Sequence, residues 1–297
     1  MIKILLPTLN ESDNIAKTVT CISEGLKEYY PTYPAEIINI DSNSDDKTVV
    51  VFNKTKSLVA RKQFTLPNMQ RGKGLGVYYG LKATKPCKED IYLMLDSDVT
   101  SIDKEWIRKM IDPIIIGNAD YVIPIYTRNR YEGNTTNHIC APIIYSLFGI
   151  DIFQPIAGDF AFTGKIALGL LKEKWYSSDF EYGVDIKLTF YSLINGFKVK
   201  QIKLGRKIHK PSFNKILPTS TGAVTSLFNS MNTNRKKVTN CKHHNKKLDN
   251  KNKAFIDESY MVIPGQIQIN NLIKLASQLK QKEEIIEPKN KGGRPKN

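Results

Sequence analysis

The stretch IYLMLDSDVT, residues 91–100, joins a short apolar run directly to two aspartates that are one residue apart. A run of this kind is typical of a strand buried on both faces, as in parallel sheets covered by helices. Asp96 and Asp98 then follow its carboxyl end, where ligands of open α/β sheets bind. Two carboxylates there can share a divalent cation and the phosphates that it carries. Alternatively, Asp96 begins a turn and Asp98 caps the next helix.

Similar apolar runs recur along the chain and alternate with segments of helical periodicity. This alternation predicts βαβ units and a mainly parallel sheet. Pro7 is expected to close the first strand, and Ser12 is a candidate cap for the first helix. QPIAGDFAFTG, residues 154–164, is punctuated by glycine and proline, which predicts a tight segment rather than a regular element. Strands are predicted at 1–6, 35–40, 58–66, 91–95, 120–125 and 197–204, and helices at 12–29, 46–56, 70–83, 103–116, 138–148, 166–172, 182–195 and 213–231.

The composition places limits on the class of protein. The chain has 297 residues, of which 41% are hydrophobic, so a large core is expected. Its four cysteines have no CxxC spacing, no apolar run reaches membrane-spanning length, and no leader peptide is recognised, so we expect a cytoplasmic protein. A homo-oligomer is compatible with these features. The net charge of +15 favours anionic partners.

Much of the positive charge is local. Residues 232–253 contain eight Lys or Arg and one acid, which predicts a solvated linker. Residues 266–280 have the pattern of a detached amphipathic helix, and 289–297 form a second basic tail. Residues 232–297 are therefore expected to be a basic, partly disordered C-terminal extension.

Parallel strands would bring Pro7, Asp41 and Asp96 to one edge of the sheet. Such an edge can hold a nucleotide, with Asp41 accepting hydrogen bonds from a base or ribose. The loop around Leu9 would help to select the base.

The motif RGKG, residues 71–74, opens a predicted helix. Arg71 and Lys73 can meet phosphate, while Gly72 and Gly74 let the backbone approach it. The alternative is a helix N-terminus with solvated basic side chains. The spacing is not that of a Walker A loop.

In their order and spacing, the motifs PTLNES, DSNSDDKT, RGKG and LDSD resemble nucleotide-sugar glycosyltransferases of the GT-A fold, family 2 type. YTRNRYEGNTTNHICAPIIY, QPIAGDFAFTG, YGVDIKLTF and the late His209 resemble mannosylglycerate and glucosylglycerate synthases and glucosyl-3-phosphoglycerate synthases. The resemblance implies a Rossmann-like, mainly parallel sheet flanked by helices. Within a domain of residues 1–231, residues 1–125 would form the nucleotide-sugar half and 126–231 the acceptor half.

The resemblance also implies a donor and metal site. Asp98 and His209 would ligate Mn²⁺ or Mg²⁺, and a histidine ligand favours Mn²⁺ somewhat. Alternatively, His209 is a surface histidine in a basic stretch. The donor-binding residues would be Pro7, Leu9, Glu11, Asp41, Gly72, Lys73 and Asp96.

The acidic residues of the later motifs would line the place where sugar and acceptor meet. Asp159 would hold donor-sugar hydroxyls, and Asp185 would orient the acceptor hydroxyl or the sugar, so that Asp98, Asp159 and Asp185 form the catalytic set. The resembled enzymes retain anomeric configuration, and no covalent intermediate is assigned. The alternative is that Asp159 and Asp185 cap or buttress helix starts.

An acceptor carboxylate would be clamped by arginine, whose planar fork matches it, although loop arginines are often only solvated. The candidate acceptor residues are Arg128, Arg130, Thr135, Thr136 and Tyr182.

These expectations define a metal-dependent retaining glycosyltransferase. It would move mannose or glucose from a nucleotide diphosphate sugar, such as GDP-mannose or UDP-glucose, to D-glycerate or a similar small hydroxy acid. One alternative is a family 2 transferase acting on a glycan, a protein-linked sugar or a lipid phosphate. Another is a nucleic-acid-binding protein, which is disfavoured because the basic runs lack interleaved aromatic residues.

Overall fold

The computed structural model describes residues 1–128, 132–209 and 216–240. Their strands form one seven-stranded sheet in the order β3-β2-β1-β4-β6-β5-β7. β6 is antiparallel to both of its neighbours, and the other pairs are parallel. The predicted α/β fold with a mainly parallel sheet is therefore confirmed. The strands are β1 Ile2–Thr8, β2 Ala35–Asp41, β3 Ala60–Thr65, β4 Ile91–Met94, β5 Tyr121–Thr127, β6 Phe160–Thr163 and β7 Val199–Arg206.

Helices cover the sheet and supply the side chains that bury it. α1 and α4 pack against each other, and α8 packs against α9. A 3-10 turn at Pro67–Met69 precedes α3, and a π-helical turn at Thr136–Cys140 leads into α5. The α-helices are α1 Ile15–Tyr29, α2 Thr48–Lys54, α3 Lys73–Thr84, α4 Lys104–Ile115, α5 Ala141–Phe148, α6 Gly164–Leu170, α7 Ser177–Phe180, α8 Val184–Ile194, α9 Ile216–Thr233 and α10 Arg235–Asn240.

The largest departure from the prediction is β6. Residues 154–164 were expected to lack a regular element because of their glycines and proline, and this was wrong for Phe160–Thr163. These residues pair with β4 from Ile91↔Thr163 to Met94↔Phe160. Three apolar residues and a threonine are enough for a strand when β4 and β5 lie on either side to pair with it. β6 places the residue before it, Asp159, beside the end of β4.

The start of the chain also differs from the prediction. Pro7 lies inside β1 rather than closing it, since β1 continues to Thr8. Pairing with β4 stops at Leu5, so β1 at Pro7 has a strand neighbour on one side only, where proline is tolerated. Ser12 does not cap α1, which begins three residues later behind Asn14. The Ser12 amide instead donates to Asp46 Oδ2 at 3.0 Å.

The predicted linker begins in helical structure. α9 reaches Thr233, and α10 covers Arg235–Asn240, with Lys237 Nζ donating to Asn195 Oδ1 at 3.1 Å. The remainder, residues 241–297, including the predicted amphipathic helix and the basic tail, lies outside the described residues. Among the helices that are described, none combines the length and the apolar character needed to cross a bilayer.

Candidate active site

A chain of ion pairs crosses the carboxyl end of the sheet. Lys73 Nζ lies 2.7 Å from Asp96 Oδ1 and 3.1 Å from Asp185 Oδ1. Lys207 Nζ lies 2.8 Å from Asp96 Oδ2 and 2.6 Å from Asp159 Oδ2. Asp96 is the centre of the chain, with one lysine on each carboxylate oxygen. Residues that are distant in sequence are thus held together by alternating charges.

Each residue of this ion-pair chain comes from a different element of the fold. Lys73 is the first residue of α3, and Asp185 lies in the first turn of α8. Lys207 follows the end of β7. Asp159 is fully buried, and its Oδ1 accepts a hydrogen bond from the Asp96 amide at 2.7 Å, which ties the end of β4 to the start of β6.

Three charges of this chain, those of Lys73, Lys207 and Asp96, are stabilised by their partners despite burial, whereas burial raises the pKa of Asp185 in spite of Lys73. Burial alone would lower the pKa of Lys73, but the carboxylates of Asp185 and Asp96 raise it above its ordinary value. Asp159 and Asp96 raise the pKa of Lys207 in the same way against burial. Burial would raise the pKa of Asp96, but Lys207 and Lys73 hold it far below its usual range. The two lysines and Asp96 are therefore charged at neutral pH.

Asp98 has the opposite balance. Burial raises the pKa of its carboxyl, and repulsion from Asp96 raises it further, while Lys207 and His209 oppose this only in part. The site thus carries four carboxylates against two lysines, an excess of negative charge that suits a cation. The carboxylates are those of Asp96, Asp98, Asp159 and Asp185.

Asp98 is not the cap of the following helix, as one interpretation of the sequence had it. α4 is capped by Asp103, whose carboxylate accepts from the Trp106 amide at 3.1 Å. The loop that carries Asp98 is fastened from the other side, where Asn14 Nδ2 donates to the Ser97 carbonyl at 2.6 Å. The side chain of Ser97 in turn donates to the Pro7 carbonyl at 2.9 Å.

His209 lies beside this loop. It forms an antiparallel bridge with Val99, and the Thr100 amide donates to the Ile208 carbonyl at 2.8 Å. The segment after β7 therefore brings His209 next to the residue that follows Asp98. Within 1–128, 132–209 and 216–240, no three or more His, Cys, Asp or Glu side chains are grouped as a metal site. A cation here would have Asp98 and His209 as protein ligands and would need further oxygens from a bound ligand.

The expected donor residues lie at the same edge. Asp41 ends β2 and is 1% exposed, and its carboxylate accepts from Ser44 N at 2.9 Å and Ser44 Oγ at 2.5 Å. Its hydrogen-bonding capacity is thus partly used by its own turn. Leu9 is half-buried and Glu11 is buried at the end of β1. The loop after β1 is joined to the loop after β2, because the Asn10 amide donates to Ser44 Oγ at 2.9 Å.

The glycines of RGKG have a structural explanation. A Cβ at Gly72 would collide with the carbonyl oxygen of Phe180, and one at Gly74 would collide with that of Asp179. The Gly74 amide also donates to the Glu181 carbonyl at 2.8 Å. Close packing against residues 179–181 therefore accounts for both glycines. Their expected approach to a phosphate stays a prediction.

The candidate acceptor residues lie on the other side of Asp159. Arg128 follows β5 and is half-buried, and within the described part of the chain its side chain donates one long hydrogen bond, 3.4 Å, to Thr136 Oγ1. Burial lowers the pKa of its guanidinium, against the smaller opposing effects of Tyr126, Glu132 and Asp159, and no ion pair of Arg128 is found among the described residues. Thr135 Oγ1 instead lies 2.6 Å from Ser220 Oγ.

Tyr182 is half-buried and packs on Gly222, with 3.3 Å from Tyr182 Cβ to the position that a Cβ of Gly222 would take. Arg130 lies outside the described residues.

Three residues of the site were not predicted from the sequence. Lys207 was noted only as part of the basic surroundings of His209, although its position just after a strand was a usable signal. Tyr126 is fully buried, and its hydroxyl donates to Asp159 Oδ2 at 2.5 Å. Gly158 has a φ of +93°, and a Cβ there would collide with Asp96 Oδ2. Their roles depend on contacts that only the folded chain makes.

Among relatives, the chain is similar to a glucosyl-3-phosphoglycerate synthase of Petrotoga mobilis. The two are 28% identical over 222 residues, which cover 70% of this chain and 66% of the relative, slightly less than two thirds of its length. A protein of the same name from Mycolicibacterium smegmatis is 25% identical over 225 residues, covering 70% of each.

Among solved structures, the chain is similar to glucosyl-3-phosphoglycerate synthase from Mycobacterium tuberculosis in complex with Mn²⁺, uridine-diphosphate-glucose and phosphoglyceric acid. The TM-score is 0.62 at 20% identity, covering 78% of this chain and 80% of the other. A second structure, of a mycobacterial protein, gives a TM-score of 0.64 at 24% identity and covers 77% and 74% of the two chains. At these identities the likeness shows the GT-A fold.

The family comparison covers more than half of the chain. Residues 3–167 match the model described as glycosyl transferase family 2. This range runs from β1 into α6 and includes RGKG, the two strand-end aspartates and Asp159. With the match and the fold in agreement, the chain belongs to the family 2 glycosyltransferases.

Proposed function

We propose that the protein transfers glucose from UDP-glucose to 3-phosphoglycerate or a similar small anionic hydroxy acid, with Mn²⁺ or Mg²⁺ as cofactor and with retention of configuration. Support comes from the names of the relatives and from the ligands of the similar M. tuberculosis structure. Transfer of mannose, or to free D-glycerate, is the second candidate, because it shares the later sequence motifs.

The observation that carries the proposal is the charge pattern of the site. Four carboxylates face two lysines at the carboxyl end of the sheet, while the half-buried Arg128 has no ion-pair partner among the described residues. An acidic centre suits a cation with its diphosphate, and a half-buried guanidinium suits a carboxylate or phosphate. A donor with a metal-bound diphosphate and an anionic acceptor would match both features.

Asp98 and His209 fit a divalent cation whose remaining ligands come from substrate. Cations of this kind are often held by one or two carboxylates together with phosphate oxygens. Burial first, and then the negative charge of the neighbouring Asp96, raise the pKa of Asp98, and a bound cation would oppose both effects. When bound, the cation would offset the charge that develops on the diphosphate as the sugar leaves.

The other residues would bind and orient the reactants. Lys73 Nζ already contacts Asp96, Asp185 and the Gly158 carbonyl, the last at 3.1 Å. An ammonium has three protons, so contact with a diphosphate requires the exchange of one of these partners. Lys73 would therefore move between carboxylate and phosphate during each turnover. Asp159 is held by Tyr126 and Lys207 and would present a fixed carboxylate to the sugar hydroxyls.

The first test is a panel of donors and acceptors. With Mn²⁺ or Mg²⁺, purified protein is expected to consume UDP-glucose in the presence of 3-phosphoglycerate, and chelation by EDTA should stop the reaction. GDP-mannose and D-glycerate are run in parallel, and product configuration is read from the anomeric proton coupling in NMR spectra. Transfer at an undiminished rate in EDTA, or no transfer from any nucleotide sugar, would contradict the proposal.

Arg128 is the residue that tests the acceptor. Arg128→Ala should raise the KM for 3-phosphoglycerate by about 10- to 100-fold, because a charge-assisted contact contributes roughly 1.5–3 kcal/mol. The KM for UDP-glucose should change little. Arg108→Ala is the control, since Arg108 lies on α4 and pairs only with Glu105 at the surface among the described residues. Equal KM values for the acceptor in the two variants would remove Arg128 from the acceptor site.

Other parts of the expectation stay predictions. They are the cytoplasmic location, the oligomeric state, the division into two halves and the weak claim of nucleic acid as a partner. The basic residues after 240, on which the last depends, lie outside the described part of the chain.

A further inference from the structure

A second buried charge cluster lies behind the site, around Asp179 in α7. Asp179 is fully buried. Its Oδ2 lies 3.0 Å from Lys187 Nζ and accepts from the Tyr176 amide at 2.9 Å. Its Oδ1 accepts from Ser226 Oγ at 2.5 Å. One carboxylate therefore joins α7, α8 and α9.

The partners of Asp179 are themselves held in place. Lys187 is nearly buried, donates to the Lys174 carbonyl at 2.8 Å, and lies over the Trp175 ring at 5.3 Å. Phe180, the residue after Asp179, stacks on Trp175 with ring centroids 5.5 Å apart, and Tyr78 of α3 packs edge-on against Phe180 at the same distance. The short α7 is thereby fixed to both α3 and α8.

The turn that follows Asp179 reaches two residues of the active site. The carbonyl oxygens of Asp179 and Phe180 occupy the space beside Gly74 and Gly72 respectively. The Glu181 carbonyl accepts a hydrogen bond from the Gly74 amide. Lys73 lies between those two glycines. At its other end the turn closes with Gly183 N donating to the Ser178 carbonyl at 2.9 Å, directly before α8 and Asp185.

We propose that Asp179 is a positioning residue for sugar transfer. It fixes the position of Lys73 relative to Asp185 through the turn at residues 178–183. Asp179 touches neither the ion-pair chain nor any open face of the site. It acts by holding one turn whose first half packs on the backbone around Lys73 and whose second half starts the helix of Asp185. A buried carboxylate with three polar contacts, to Lys187, Tyr176 and Ser226, has few alternative arrangements, so the turn is fixed.

The kinetic consequence follows from geometry. A catalytic group displaced by about 1 Å can cost on the order of 10²-fold in rate. Asp179→Ala is expected to lower kcat/KM for UDP-glucose by about that factor. If Asp179 acts through Lys73, adding Lys73→Met should cause little further loss, since the two changes remove the same interaction. This kinetic arm rests on the proposed function.

A second arm does not depend on activity. In hydrogen-exchange mass spectrometry, Asp179→Ala should speed exchange of the peptide that covers residues 72–76 at least about tenfold, because the Gly74 amide loses its fixed acceptor. Ser226→Ala removes the hydroxyl that contacts Asp179 Oδ1 and, at 3.0 Å, the Gly183 carbonyl, but it keeps the carboxylate, so it should give a smaller change of the same kind. It also serves if Asp179→Ala does not fold.

The matched control is Asp90→Asn. Asp90 is also buried and ion-paired, with Lys3 Nζ at 2.7 Å, but it lies at the amino end of β4. The Asp90→Asn variant should be less stable than the wild type but should leave hydrogen exchange at residues 72–76 unchanged. Its effect on kcat/KM should be independent of Lys73→Met, so that the two fold-changes multiply in the double variant. Unchanged exchange at 72–76 in both the Asp179 and the Ser226 variants, or kinetic effects of Asp179→Ala and Lys73→Met that multiply, would overturn the proposal. If wild-type protein transfers no sugar but the exchange result holds, the proposed function fails and the positioning of Lys73 stands.

Discussion

Asp98→Asn is expected to lower kcat/KM for sugar transfer by roughly 10³-fold while leaving the folded protein as stable as before or more stable. The loss of activity follows from removal of a charged ligand that acts on the leaving diphosphate. The gain in stability follows from the raised pKa of Asp98, whose largest cause is burial, followed by the neighbouring Asp96. Initial rates with Mn²⁺ and melting temperatures in EDTA measure the two effects separately.

The size of the stability change depends on pH. The pKa of folded Asp98 lies above the value of about 3.9 for an unfolded aspartate, so the folded state binds its proton more tightly. Ionisation of Asp98 therefore destabilises the folded protein progressively as the pH rises above about 4. The advantage of Asp98→Asn over the wild type should be small at pH 4 and larger at pH 7.

Asp103→Ala is the control with the opposite pattern. Asp103 follows in the same segment but caps α4, so its removal should cost about 1 kcal/mol of stability and leave the rate unchanged. A wild-type rate for Asp98→Asn would remove Asp98 from the metal site. A melting temperature well below that of the wild type would contradict the charge balance described for this carboxyl.

Lys207→Met should destabilise the protein by about 3–5 kcal/mol and abolish transfer. The reason is that Lys207 pairs with Asp96 and Asp159, both enclosed at the strand ends, and its loss leaves two neighbouring carboxylates with one remaining lysine. Urea unfolding at pH 7 measures the change in the free energy of unfolding. Adding Asp159→Asn should restore part of the stability, because it removes one of the two carboxylates that have lost Lys207 as a partner, but it should not restore activity.

Lys3→Met separates the two effects of Lys207→Met. Lys3 is an equally buried lysine, paired with Asp90 and donating to the Thr84 carbonyl at 2.9 Å, at the opposite end of the sheet. Its replacement should cost a similar free energy of unfolding without changing kcat of the folded protein. If Lys207→Met is no less stable than the wild type, the ion-pair chain does not hold the site together.

The residues at the ends of parallel strands were predictable because their position follows from local patterns. An apolar run ending in an acid identifies the strand, its direction and its carboxyl end, and this was enough to bring Asp41 and Asp96 to one edge. RGKG was likewise placed at the start of α3. The fold class followed from the alternation of strands and helices alone.

What escaped prediction depends on pairing between distant segments. β6 is only four residues long and exists because β4 and β5 leave a gap of one strand between them. Lys207 lies 111 residues from Asp96, and no local pattern indicates that the two meet. The sequence pattern also gave no sign that the backbone of residues 179–181 packs on Gly72 and Gly74, and their expected approach to a phosphate stays a prediction.

The insertion of β6 between β4 and β5 has a consequence for synthesis of the protein. β4 and β5 are made before β6, they are not neighbours in the folded sheet, and each lacks its native β6 partner until Phe160–Thr163 has emerged from the ribosome. Lys207 lies 111 residues after Asp96, so at a synthesis rate of about 5–20 residues per second it is made roughly 6–22 s after Asp96. During this interval Asp96 lacks one of its two lysine partners. The nascent chain must therefore keep the unpaired edges of β4 and β5 from pairing with other chains, and a product truncated before residue 160 would expose both of them.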